Sequence, residues 1–305
     1  MPDSNVPPTN PTAPPRMFPT VRLIGELPEP ELQQTLKDLG VQPAPAERDA
    51  KIRAAWFAGT GAWKYTTHQF GYIPPFDKPG PKEIKSVGEI GKDDTLVSQR
   101  IDIHLNRLRV FEYPGSGQHR ILFTFKAQNQ LETMPEPVSF SQLFRARDNS
   151  AVAVKGYPIF LGLSVGKIGA AFQGFTINVK NDNDEALLSF MESDIFKSGL
   201  GLLKTAQPAL QPLTDMTVGV SKALAGRHRN VAVQDFYLGL DFLPTSGGAR
   251  LAVGDYIAAQ VPSETALNWT EWIYDTNVGT IVKKSDSSQS LPYNYVVFGV
   301  SKHPE

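Results

Sequence analysis

From about Val97 onward the apolar residues recur at every second position, and that alternation confines most of the chain to half-buried strands. Ile101, Ile103 and Leu105 alternate with Asp102 and His104. The phase then slips at Asn106-Arg107, and Leu108 and Val110 continue on the shifted register, the mark of a β-bulge. Ile121, Phe123, Phe125 and Ala127 alternate again after the turn cluster Pro114-Gly115-Ser116-Gly117. The spacing predicts a long antiparallel hairpin here. A second hairpin is expected from Tyr157 to Lys180, turning at Gly166-Lys167-Ile168-Gly169, with Phe175, Ile177 and Val179 on its returning strand. Further strands are expected at Val233–Phe242, Leu251–Val261, Trp272–Lys283 and Pro292–Val300. Eight or nine strands with turn signals between them argue an antiparallel β-sandwich or barrel.

Two regions depart from this period. Residues 1–50 hold 11 of the 25 prolines and one aromatic, Phe18, and read as a Pro-rich N-terminal arm, extended and disordered over residues 1–20. Two short helices are expected after that stretch. One opens at Pro30 with Leu32, Leu36 and Leu39 on one face and Gly40 as a stop; the other runs from about Pro45 to Ala58. Residues 51–96 read as a connecting segment, and residues 97–305 as the β-sandwich domain. Within that domain, residues 184–226 read as a helical insertion. Asp182, Asp184 and Glu185 suit a helix start, Ala186, Leu187, Phe190 and Met191 come next at helical spacing, and Pro208 and Pro212 open a second stretch. The strand count and loop-rich ends resemble a C2-type sandwich in architecture; no motif ties the chain to a named family.

Composition removes several function classes. The 305 residues contain no cysteine, which excludes disulfides, thiolate metal sites and a cysteine nucleophile. Thirty Lys and Arg against 31 Asp and Glu leave a formal charge of -1, so no nucleic-acid partner is expected. The start of the chain has no basic-then-apolar signal, and no apolar run of about 18 residues occurs, so a cytoplasmic protein is expected. Asn268-Trp269-Thr270 then matches a glycosylation acceptor by chance. No phosphate-binding glycine loop or dinucleotide fingerprint is present.

Gly162-Leu163-Ser164-Val165-Gly166 matches the pattern that exposes a nucleophilic serine on a strand-to-helix turn. The residues after it, Lys167 to Phe172, read instead as a turn and a strand. A hydrolase built on Ser164 would take His228 as base and Asp241 or Asp235 as orienting acid. His104 and His119 could face each other across the first expected hairpin, although such positions commonly lie on a solvated sheet face. Asp182, Asp184 and Glu185 could also supply oxygens to calcium, the one cofactor the sequence suggests. Arg100, Arg107, Arg109, Arg120, Lys126, Arg145 and Arg147 give residues 100–147 a basic excess, expected on the solvated side of the strands. Trp269 and Trp272 are candidate contacts for a membrane or partner, with core packing the commoner fate of tryptophan. Because no catalytic set assembles in the sequence, the leading expectation is a non-enzymatic binding or effector module. It would engage a protein partner through its arm, or conditionally a membrane through the apolar insertion. The alternative is the Ser164 hydrolase.

Overall fold

The computed structural model describes residues 21–40, 61–91, 93–130, 135–152, 154–167, 169–180, 221–224, 230–242 and 248–304. In chain order the strands are β1 (Thr67–Ile73), β2 (Pro81–Glu83), β3 (Lys85–Ser86), β4 (Arg100–Val110), β5 (Gln118–Gln130), β6 (Pro135–Arg147), β7 (Ser150–Ala151) and β8 (Tyr157–Ser164). They continue as β9 (Gly169–Asn178), β10 (Val231–Asp241), β11 (Ala249–Arg250), β12 (Gly254–Val261), β13 (Trp272–Asp275), β14 (Thr280–Lys283), β15 (Asp286–Ser290) and β16 (Tyr295–Lys302). One α-helix, α1 (Glu29–Asp38), is described in full. Pro30 lies in its first turn, and Leu36 and Leu39 are buried, as the sequence led us to expect. Of the expected arm, the extended stretch at residues 1–20 and the helix from Pro45 to Ala58 lie outside the described residues.

The strands form three layers. A central seven-stranded sheet has the order β3-β1-β12-β16-β4-β7, with β8 also paired to β4. One face of it packs on a five-stranded sheet, β11-β10-β9-β5-β6. Its other face packs on a four-stranded sheet, β15-β14-β13-β2. The chain is thus mainly β and built as a sandwich, with the small third sheet added outside the two main layers.

Alternation explains how one strand serves two cores. On β12, Tyr256 and Ala258 join the core against the five-stranded sheet, while Ile257, Ala259 and Val261 join the core against the four-stranded sheet. On β16, Val296, Phe298 and Val300 face one way and Tyr295 and Val297 the other. The main core is aromatic. Phe125 and Phe172 stack at 5.7 Å, Phe298 meets both at 5.1 and 5.5 Å, and Tyr256 stacks on Phe298 at 5.6 Å. Each such ring contributes about 1.5–3 kcal/mol by leaving water. A polar clamp crosses the layers at Asn294. Its Oδ1 accepts from the amides of Phe111 and Glu112, and its Nδ2 donates to Glu112 O and to Gln260 Oε1, all within 3.1 Å. Gln260 in turn donates to Val233 O at 2.9 Å, on the opposing sheet.

The bulge at Asn106 is present: Arg107 opposes Val297 and Leu105 opposes Phe298, so Asn106 is the extra residue. Both long hairpins read from the sequence are corrected. β4 pairs with β16, β7 and β8, whereas β5 pairs with β6 and β9. The Pro114–Gly117 turn carries the chain from one layer to the other. The turn at 166–169 does the same, joining β8 of the central sheet to β9 of the five-stranded one. The hairpin next to it in sequence is β5–β6, in register from Gln118 opposite Arg147 to Gln130 opposite Pro135. Residues 51–96, read as a connector, supply β1, β2 and β3, and β1 pairs with β12 along its whole length.

The insertion read at 184–226 enters the described structure only at 221–224, which are helical. There Ser221 is buried and its hydroxyl meets those of Thr124 and Ser141 at 2.9 and 3.0 Å. This turn therefore sits on the five-stranded sheet's outer face, where Leu122, Phe175 and Ile177 are buried too.

Candidate functional site

A cleft of about 270 Å³ opens between the central sheet and the four-stranded sheet. Its floor comes from the bulged part of β4 and the start of β12: Asn106, Arg107 and Asp255. Its far wall is the β13–β14 turn, Thr276-Asn277-Val278-Gly279, with Tyr274 behind it. Val154, Lys155 and Phe76 complete the rim.

Local sequence explains each placement. Asn106 is the bulge residue, so its side chain leaves the regular pleat and reaches across β16 to Asp255, donating Nδ2 to Oδ1 at 2.8 Å. That reach crosses Gly299, where a Cβ would lie 2.8 Å from both Asn106 Nδ2 and Asp255 Oδ1. Gly299 is thus required by close approach. Asn106 Oδ1 also accepts the Gly156 amide at 3.0 Å, which ties the loop bearing Lys155 to the floor. Arg107 comes directly after the bulge and projects under the β13–β14 turn, donating Nη2 to Thr280 Oγ1 at 3.0 Å. Gly279 has φ +61, and a Cβ there would lie 3.2 Å from Arg107 Nη1. This turn therefore needs glycine for its left-handed backbone and for room above the guanidinium.

The electrostatics are uneven. Burial pushes the Asp255 carboxyl up from 3.8 to about 6, and the Asn106 hydrogen bond pulls it back only in part. Burial raises Tyr274 to about 12, so its hydroxyl keeps its proton at neutral pH. Arg107 has no carboxylate within ion-pair distance among the described residues, and its Nε is buried without a hydrogen bond. Arg109, two residues along the same strand face, is buried at 7% exposure with its own Nε unbonded, and burial lowers its pKa. Three large apolar side chains are exposed among the described residues: Phe76 at 39%, Tyr237 at 40% and Val278 at 59%. Two of the three, Phe76 and Val278, line this one cleft. Apolar exposure thus sits at the lip of a polar recess.

The sequence-derived candidates lie elsewhere. Ser164 ends β8, opposite Arg100 of β4, and its turn leads into strand β9, so the motif is strand-turn-strand. Asp241 ends β10 and Asp235 lies within it, both in the five-stranded sheet, while Ser164 belongs to the central one. His228 lies outside the described residues. The imidazole beside the motif is that of His303, whose Nδ1 meets Asp102 Oδ1 at 2.7 Å. The Gly162 amide donates to the same oxygen at 2.7 Å. Gly162 has φ +73, and a Cβ on it would lie 3.4 Å from His303 Nε2. The first glycine of the motif therefore admits an imidazole.

His104 and His119 do not face each other, because β4 and β5 lie in different sheets. His119 is fully buried and its Nε2 meets Asp148 Oδ1 at 3.0 Å. Trp269 is buried at 5% with its indole N–H donating to Phe70 O at 3.0 Å, and the half-buried Trp272 packs against the same core. Asp182, Asp184 and Glu185, the suggested calcium ligands, lie outside the described residues. Among the described residues no group of three or more His, Asp or Glu could hold a metal. No described helix is long and apolar enough to cross a membrane.

Arg107 was legible only as one of a basic stripe, and nothing in the sequence singled out Asp255 within its strand. The phase slip at Asn106-Arg107 was the one sequence signal that marked this place. No family model, no curated protein and no solved structure matches the chain.

Proposed function

We propose that the chain is a non-enzymatic binding module whose ligand seat is the cleft over Arg107 and Asp255. One observation carries the reading. A recess between two sheets gathers a cation with no carboxylate partner among the described residues, a carboxyl of raised pKa and two of the three exposed large apolar side chains described. The one aliphatic hydroxyl among the lining residues, that of Thr276, is engaged by the Gly80 backbone: it accepts the Gly80 amide at 2.7 Å and donates to Gly80 O at 3.1 Å. A partner protein presenting a side chain or terminus to this recess would use the same groups. The membrane reading concerns the insertion at 184–226 and gains no support from the cleft. Saturation-transfer NMR against a panel of small acids, alcohols and amines tests the seat. Phe76→Ser and Val278→Ser should weaken any ligand the wild type binds, whatever its charge, and unchanged affinity in both variants would overturn the assignment.

One observation favours a second reading, the Ser164 hydrolase. The Asp102–His303 pair is oriented as a base and its orienting acid are, and it lies beside the first glycine of the motif. In this reading His303 and Asp102 take the roles first given to His228 and Asp241. A fluorophosphonate probe separates the readings. Labelling lost in both Ser164→Ala and His303→Gln supports the hydrolase, and an unlabelled wild type removes it.

A further inference from the structure

We propose that the cleft takes a small organic anion, its acid group held by Arg107 and Lys155 and its apolar body lying on Phe76 and Val278. This rests on the reading of the cleft as the ligand seat and adds the chemical class of what sits there.

The charge balance supplies the first reason. Of the residues lining the cleft, Arg107 and Lys155 are cationic and Asp255 alone is acidic. A guanidinium does not give up its proton, so Arg107 cannot relieve its position by neutralising. Its Nη2 donates to a neutral hydroxyl, Thr280 Oγ1. Arg109 adds a second guanidinium on the same strand face. A half-buried cation facing a recess, with no counter-charge of its own among the described residues, is stabilised by an anion that enters. A cationic ligand would meet the same groups as repulsion.

Shape supplies the second reason. A cleft of about 270 Å³ has room for a six-membered ring carrying one acid group. Phe76 offers a ring at the rim, already approached by Lys82 Nζ at 5.2 Å, and Val278 adds a second exposed apolar group to the lining. A bare inorganic ion would leave both uncovered.

Asp255 then sets a pH dependence. Asn106 of β4 donates to it, its charge acts on Tyr72 of β1 and Tyr274 of β13, and Arg107 and Lys155 share the cleft lining with it. Burial holds Tyr72 and Tyr274 up at about 12, so both keep their protons near neutral pH, whereas Asp255 changes charge at about 6. Ionised, it repels the incoming acid; protonated, it offers a donor. Anion binding therefore tightens as pH falls through about 6.

The test titrates the full chain with benzoate, phenyl phosphate, benzyl alcohol and benzylamine by saturation-transfer NMR. Benzoate and phenyl phosphate should bind in preference to the alcohol, and benzylamine not at all. Benzoate keeps its charge down to about pH 5.5 because carboxyl groups titrate near 4. Its affinity should therefore rise several-fold from pH 7.5 to pH 5.5 in wild type and stay flat in Asp255→Asn. Arg107→Gln should weaken both acids by about tenfold or more. Lys155→Gln, at an exposed position, should weaken them less and keeps the test alive if the Arg107 variant does not fold. Equal binding of the alcohol and the acids, with Lys155→Gln unchanged, would overturn the anion and leave the seat standing. No saturable binding of either acid up to about 10 mM would overturn the anion as well. Binding of all four probes unaffected by Phe76→Ser and Val278→Ser would overturn the seat itself.

Discussion

Replacing Asp255 by Asn should make the protein more stable at neutral pH and leave it little changed in acid. The folded carboxyl titrates near 6 against 3.8 when unfolded. Between those values the folded state holds a proton that the unfolded state has lost. Stability from this group is therefore present below about pH 4 and is lost as pH rises through 6. At about 1.36 kcal/mol per pH unit, the displacement corresponds to roughly 3 kcal/mol as an upper figure, reduced by the water the open cleft admits. Asn preserves the shape and still offers an oxygen to Asn106 Nδ2 without carrying charge. Urea denaturation of wild type and Asp255→Asn at pH 4, 5.5 and 7.5 measures the effect. The gap between the two curves should grow with pH, toward about 1–3 kcal/mol in favour of the variant at pH 7.5. A gap of the same size at all three values would show that the carboxyl does not ionise against a burial cost, and the account of the cleft's electrostatics would fail.

Packing and burial give three further expected outcomes. Gly174→Ala places a methyl 2.1 Å from Phe236 Cζ, so it should cost about 1–3 kcal/mol in chemical denaturation, and Phe236→Leu should recover part of the loss in the double variant. Asn294→Ala removes the groups that hold the Phe111 and Glu112 amides, Glu112 O and Gln260 Oε1. It should cost about 2–4 kcal/mol, read as a drop in midpoint with the slope unchanged. Burial pushes His68 down to about 4, so its contribution runs opposite to that of Asp255: it is complete above about pH 6.5 and is lost as pH falls toward 4. His68→Gln should flatten the acid side of the stability–pH curve.

Much of the architecture could be read from the sequence because alternation is a local property. Ile101, Ile103 and Leu105 must share a face wherever β4 pairs, and the slip at Asn106 must bulge whichever strand lies opposite. Partner choice is not local. The same alternation serves a strand whether the next turn folds it back into its own sheet or sends it to the facing one. That is why Ile101–Val110 and Ile121–Ala127 look like a hairpin and are not. Strand β6 is hidden for another reason. Pro135 and Pro137 argue against a strand, yet β6 is an edge strand of the five-stranded sheet, where a missing amide is tolerated. The cleft was harder still. Its floor joins positions as far apart as Arg107 and Asp255, and its exposed apolar groups, Phe76 and Val278, sit in loops where no periodicity applies. A basic stripe read as solvated held one arginine that is buried and one that lines a recess.

Amide chemical-shift mapping during a benzoate titration at pH 5.5 tests the central claim most directly. The account predicts saturable shifts concentrated at Asn106, Arg107, Asp255, Asn277 and Gly279, and their loss in Arg107→Gln. Shifts centred instead on Gly162, Ser164 and His303, or scattered without saturation, would contradict it.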